Sequence, residues 1–280
     1  MLASLDVVSL YTNIPIDLAL KVIEDKWPKL KKFTKMPEND FLYAVKICLN
    51  STFFQFGDMF FQQVSGLAMG GPISAVIANL VLESAEDTLL NTLPFRCIFY
   101  KRFVDDILIC IPKDKGSLLL NHFNSFHENI QFTLKEEVEE KINFLDMTID
   151  HIKSGKIRTK WYKKLTHSGR YLNFFSDVPF QHKLNVINNL AKRVVNLTDY
   201  CYQTDCILKA KKMLHENGYP AKLMNTVFKN VQAQRKRTHI NVSEKPKIDL
   251  RSVVKLPYVP VLAENFKRSL GKNLGSSLGL

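Results

Sequence analysis

Tyr100–Cys110 reads YKRFVDDILIC, with two adjacent carboxylates, Asp105 and Asp106, between two runs of strand-forming apolar residues. The pattern predicts two short strands joined by a tight connection. Asp is a common turn residue, and water solvates it without cost at a hairpin end. The same pair holds a cation if another carboxylate reaches it. Between these two strands stands no Asn-Gly or Asp-Gly pair, although a merely structural two-residue turn favours glycine.

The carboxylate that could reach it is Asp6, inside the apolar run Leu2–Leu10, LASLDVVSL. A strand in mid-sheet would bury Asp6, and a buried carboxylate neutralises or finds a cation. Between the two motifs the chain reads as helix, helix, hairpin and helix. In YTNIPIDLALKVIEDKW, Asn13 is expected to cap the first helix and Pro15 to open it. FLYAVKICLNS is the second helix. TFFQF and MFFQQV flank Gly57-Asp58 as a β-hairpin, and the glycine-rich turn Gly66–Pro72 feeds a helix through SAVIANLVLESAEDTLL. This order fits an α+β fold with a split βαβ sheet of the ferredoxin-like type. In that sheet the Asp6 strand lies beside the VDD hairpin, and three carboxylates converge. They would repel one another without divalent ions. Oxygen-only ligands suit Mg²⁺ or Mn²⁺, and two such ions about 4 Å apart activate a hydroxyl and steady a leaving phosphate.

Downstream, 118–129 reads as helical, while QFTLKEE, INFLDMTID and KIRTKWYK read as strands. QHKLNVINNLAKRVVNL and CILKAKKMLHENG are helices, 232–252 is a basic linker, and VVKLPYVPVLAENFKRSL turns apolar again. Formal net charge is +12 over 280 residues, divided as −6 over 1–150 and +18 over 151–280. A cation-holding half followed by a strongly basic half points to a polyanionic partner. Five scattered cysteines without a CxxC spacing indicate neither a disulfide framework nor a zinc site. The longest uncharged run, Gly66–Leu82, is too broken by glycine and proline to span a bilayer. An intracellular, nuclear location and no membrane partner are the expectation.

DVVSLYTNIP (6–15), GLAMGGPISAVIANL (66–80), FVDD (103–106), INFLDMTI (142–149) and KLTHSGRYLNFFSDVPFQHK (164–183), in this order, resemble the reverse transcriptases of Penelope-like retroelements. The resemblance implies a right-hand palm over 1–150 and a primer grip with a mainly helical thumb over 151–231. A basic linker and connector would follow over 232–280, toward a GIY-YIG endonuclease. The family's fingers domain, which would precede the first strand, is not in this sequence. By this resemblance Asp6, Asp105 and Asp106 are catalytic, with Asp6 and Asp105 the main ligands of two Mg²⁺ or Mn²⁺ ions. The Val7 carbonyl completes one coordination shell. Tyr11 falls where the family places a gate against a ribose 2′-OH. The Gly66–Ser74 loop, through Met69, Gly70, Gly71 and Ser74, would hold the incoming deoxynucleoside triphosphate. Lys160, Lys163, Lys164, His167, Arg170 and Tyr171 would grip the RNA template and DNA primer. Phe103 stands where Tyr is commoner, and Met69 where many relatives have Gln. Lys135 is a candidate for protonating pyrophosphate, although a solvated lysine is the simpler reading. The rival function is a non-catalytic nucleic-acid-binding remnant. A maturase of the group II intron type fits YTNIP and THSGRYLNF less well.

Overall fold

The computed structural model describes residues 1–151 and 155–238, which fall into two compact units divided between Phe144 and Leu145. The fold is mixed α/β with open sheets. The connector expected after 238 lies outside the described residues.

The first unit opens with β1 (Leu2–Val7), followed by α1 (Leu10–Asn13), α2 (Ile16–Leu30) and α3 (Glu38–Asn50). A hairpin, β2 (Phe53–Phe56) and β3 (Met59–Gln62), then leads to α4 (Ser74–Asn91). After it come β4 (Phe99–Phe103), β5 (Asp106–Cys110), α5 (Gly116–Asn124), β6 (Phe132–Glu136) and β7 (Lys141–Phe144). Four strands form a sheet in the order β4-β5-β1-β6, with every pair antiparallel. Successive side chains alternate between faces, so one face is read from alternate residues. Ala3, Leu5 and Val7 of β1, Ile107 and Ile109 of β5, and Phe132 of β6 pack in one core. Ile77, Ala78, Val81, Leu82 and Ala85 of α4, with Leu119 and Phe123 of α5, close it from the helix side. The opposite face buries Leu2, Ser4 and Leu108 and becomes accessible toward Asp6, Asp106 and Phe103.

Two expectations are corrected here. Pro15, not Asn13, takes the N-cap position of α2. Asn13 ends the short α1 and donates from Nδ2 to the Val8 carbonyl at 3.0 Å, so its amide is spent on the preceding turn. INFLDMTID is not one strand: Leu145 adopts φ 51° and breaks it into β7 and β8 (Met147–His151).

The second unit begins with β8, paired antiparallel with β9 (Ile157–Trp161), and continues as α6 (Phe180–Asn196), α7 (Tyr200–Glu216) and α8 (Ala221–Thr238). Ile187, Ala191, Val194 and Val195 of α6 pack on Cys206, Ala210 and Leu214 of α7, and Trp161 joins this core. α8 adds Met224, Val227, Phe228 and Val231, at the i, i+3, i+4, i+7 spacing of an amphipathic helix. The basic linker expected from 232 therefore starts inside α8. Arg235 closes the bundle by donating from Nη1 to the carbonyls of Val195 and Thr198, which end α6 and the turn after it.

Candidate functional site

The register decides which carboxylates meet. β1 and β5 run antiparallel with Asp6 directly opposite Asp106. Both are half-buried. Paired residues share a face, with Cβ atoms about 4.5–5.5 Å apart. Asp6 thus sits at the accessible end of its strand and not in the sheet's interior, which corrects the expectation of a buried carboxylate. Asp105 occupies the two-residue connection between β4 and β5 together with Val104. Asp6 and Asp105 make no side-chain hydrogen bond or ion pair to a described residue. Among the described residues, Asp6, Asp105 and Asp106 do not close into a group of three metal-holding side chains. Val7 sends its side chain into the core, so only its backbone faces the site. Phe103, opposite Asp106, is 60% exposed. Lys135 is exposed opposite Ser4, two pairs along from the Asp6–Thr133 pair.

The hairpin tip is strained. Val104 has φ 58°, a left-handed conformation in a β-branched residue, where such a backbone costs on the order of 1–3 kcal/mol. Beneath it, on the helix side of the sheet, Arg102 reaches α4. Its Nε and Nη2 donate to the two oxygens of Glu86 at 2.5 and 3.1 Å, and Nη1 donates to Asn79 Oδ1 and to the Val104 carbonyl, both at 3.0 Å. Burial disfavours the Arg102 charge, but the Glu86 carboxylate outweighs it and raises the pKa. Tyr100, two residues earlier on the same face, donates to Glu86 at 2.7 Å. Burial, and then that bond, push its phenol well up. None of these roles was read from sequence. The usable signal was the alternation Tyr100, Arg102 opposite Lys101, Phe103, which places one tyrosine and one arginine on the helix side.

The glycine-rich loop forms one wall of a cleft of about 620 Å³. Met69, Gly70, Gly71 and Ser74 line it, with Thr12 and Phe53 from other elements. Met69 is 73% exposed, Gly70 takes φ 87°, and Ser74 is buried at the start of α4. Tyr11 does not line this cleft. It packs half-buried against the core, and its carbonyl accepts a hydrogen bond from the Leu67 amide at 2.6 Å.

In the second unit, Lys160 and Lys163 line another cleft of about 450 Å³, over Trp161 and Met213. Lys209, Lys212 and Glu216 of α7 also line it; the two lysines stand in a basic KAKK run that sequence reading did not single out. Lys160 Nζ lies 5.7 Å from the Tyr202 ring, and Lys163 Nζ lies 3.6 Å from Met213 Sδ. Lys164, His167, Arg170 and Tyr171 stand outside the cleft lining, on a segment tied to the end of α7. Asn217 donates to the Gly169 carbonyl at 2.9 Å and accepts from the Tyr171 amide at 2.9 Å. His167 lies 5.8 Å from the Tyr171 ring, and burial raises the Tyr171 pKa.

Telomerase from Candida albicans, in complex with a TWJ fragment of telomeric RNA, matches over 82% of this chain and 40% of its own, at 10% identity and a TM-score of 0.50. The fold is polymerase-like. The Sicinivirus 3Dpol RNA-dependent RNA polymerase matches over 83% of this chain and 51% of its own at 14% identity, with a TM-score of 0.48. Apo telomerase from Candida tropicalis matches over 83% and 42% at 10% identity, also with a TM-score of 0.48. The chain thus spans about 40–51% of these three solved chains. Residues 170–229 match the animal helix-turn-helix domain family, and this span takes in α6, α7 and the first half of α8. No curated protein matches the chain. Among the described residues, no helix is long and apolar enough to cross a membrane.

Proposed function

We propose that the chain is the core of an RNA-directed DNA polymerase of the Penelope-like kind. Residues 1–144 would be its palm, built on a split βαβ sheet, and the helices after 145 its thumb. One observation carries the reading: Asp6 and Asp106 face each other across central strands beside a strained turn that carries Asp105. Strain of this kind clusters at functional sites. Asp6 and Asp105, without side-chain partners, form an oxygen-only donor set that suits Mg²⁺ or Mn²⁺. When bound, such ions lower the pKa of an attacking hydroxyl and stabilise a leaving phosphate. The chain's own residues would hold and orient. Asp6 and Asp105, with Asp106 beside them and the Val7 carbonyl, supply the ligands. The Gly66–Ser74 cleft would seat a deoxynucleoside triphosphate against Met69, Gly70, Gly71 and Ser74; Tyr11, which stands outside that lining and holds the loop through the Leu67 amide, is proposed as the sugar gate on the family resemblance alone. Lys160, Lys163, Lys164, His167, Arg170 and Tyr171 contact the backbone of an RNA–DNA hybrid, now with Lys209 and Lys212.

Primer extension on an RNA template tests the reading. Incorporation by the 280-residue chain should require Mg²⁺ or Mn²⁺, and Asp105→Asn should remove it. A second reading, a non-catalytic nucleic-acid-binding remnant, draws on the four-lysine cleft, which is independent of the carboxylates. Hybrid binding without incorporation, unchanged by Asp105→Asn, would favour it. Both readings share one expectation. If the four cleft lysines each neutralise a phosphate, hybrid affinity should fall about a hundredfold between roughly 50 and 200 mM salt. A flat salt dependence in a binding titration would remove the phosphate-contact assignment.

A further inference from the structure

Arg102 and the residues the carboxylate turn presents lie on opposite sides of one hairpin arm. Arg102 points toward α4, whereas Phe103 and its partner Asp106 belong to the other face. Four of its N–H groups are committed: two to Glu86, one to Asn79 and one to the Val104 carbonyl. The fork is itself held from behind. Tyr100 shares Glu86 at 2.7 Å, Asn79 donates to Glu83 at 2.9 Å, and Glu83 pairs with Lys26 of α2 at 3.4 Å. The carbonyl gripped at the end of this chain of contacts belongs to the one residue of the connection with a positive φ, immediately before Asp105.

Glycine would adopt that backbone freely, and a two-residue hairpin turn normally recruits it. A valine here makes the turn costly but, once held, narrower in conformation than glycine would be. Resting on the reading of the FVDD turn as a metal-holding tip, we infer that Arg102 is a positioning residue that clamps the strained Val104–Asp105 turn from the helix side and so sets the aim of Asp105 and Asp106. Lysine cannot replace it. A single ammonium cannot span both Glu86 oxygens, Asn79 and the Val104 carbonyl at once, whereas the planar guanidinium presents its donors in a fixed fork.

The test uses the 280-residue chain with Arg102→Gln, Arg102→Lys, Val104→Gly and the Arg102→Gln, Val104→Gly double variant. Site-resolved hydrogen exchange in metal-free protein reads the turn without any catalysis. In both single Arg102 variants the amides of 104–107 should exchange about tenfold faster or more, while those of mid-α4 stay at their wild-type rate. In the Val104→Gly background the added effect of Arg102→Gln should shrink to about threefold or less, since no strain remains to be held. Exchange that rises equally throughout β4, β5 and α4, or an Arg102→Gln effect undiminished by Val104→Gly, overturns the clamp. Where primer extension occurs, Arg102→Gln should lower kcat about tenfold or more and leave the nucleotide KM within about twofold, because aim and not nucleotide binding is lost. A wild-type chain that incorporates nothing defeats the polymerase reading alone, and the exchange result still decides the clamp. If Arg102→Gln does not fold, Asn79→Ala removes one partner of the fork. It should raise exchange at 104–107 about twofold to threefold, and no local rise there would equally overturn the clamp.

Discussion

Asp6→Asn is expected to lower nucleotide incorporation by on the order of a thousandfold or more and, in the same protein without metal, to raise stability slightly. The two effects share one cause. Asp6 and Asp106 are directly opposite on neighbouring strands, and like charges in that position destabilise a sheet by about 0.2–1 kcal/mol. Asparagine keeps the shape and removes one of the charges. A site that exists to hold a divalent cation should therefore lose function as it gains stability. Thermal melting in chelator, set beside single-turnover incorporation in Mg²⁺, reads both. A variant that loses stability and retains incorporation would show that Asp6 serves the fold and not the chemistry.

Gly66→Ala is expected to cost about 2–4 kcal/mol. Gly66 adopts φ 73°, which an L side chain rarely takes. A Cβ there would also lie 2.6 Å from the carbonyl carbon of Thr12 and 2.7 Å from its Cα. Those are backbone atoms, and they cannot swing aside. The neighbouring bond from the Leu67 amide to the Tyr11 carbonyl, at 2.6 Å, holds the loop against this strand of chain. Leu67 itself is fully buried, so a displaced loop would pull an anchor from the core. Urea denaturation measures the loss. Gly70→Ala provides the contrast: its added Cβ meets no atom within 4 Å, so only the φ of 87° is strained and the cost should fall to about 1 kcal/mol.

Much of the first unit was legible because its signals are local. The arms around VDD and the run about Asp6 are short stretches rich in strand-forming apolar residues, and both form strands. The aromatic-rich hairpin around Gly57-Asp58 and the long helix after the glycine turn also form where the pattern puts them. Misreadings arose where a local rule competed with a contact made elsewhere. Asn13 has the chemistry of a cap, but its amide turns back to Val8. INFLDMTID reads as one strand, yet Leu145 adopts a left-handed φ that its residue type does not announce. In α8, basic and amide residues diluted a four-residue apolar stripe that becomes conspicuous only against α6 and α7.

By itself the sequence determined which residue types this protein could bring to a site. These are three carboxylates in strand contexts, a glycine-rich loop before a helix, and lysines interleaved with aromatics in a basic second half. Each follows from composition and short-range spacing, which act within a few residues. Only the tertiary structure decided the pairings, because register couples residues about a hundred positions apart. It put Asp106 and not Asp105 directly across from Asp6, and it gathered Lys209 and Lys212 with Lys160 and Lys163. It also passed a guanidinium beneath the turn. That last contact depends on the side of β4 that faces α4 and on a strained valine whose carbonyl lies within reach, quantities that exist only once the chain has folded.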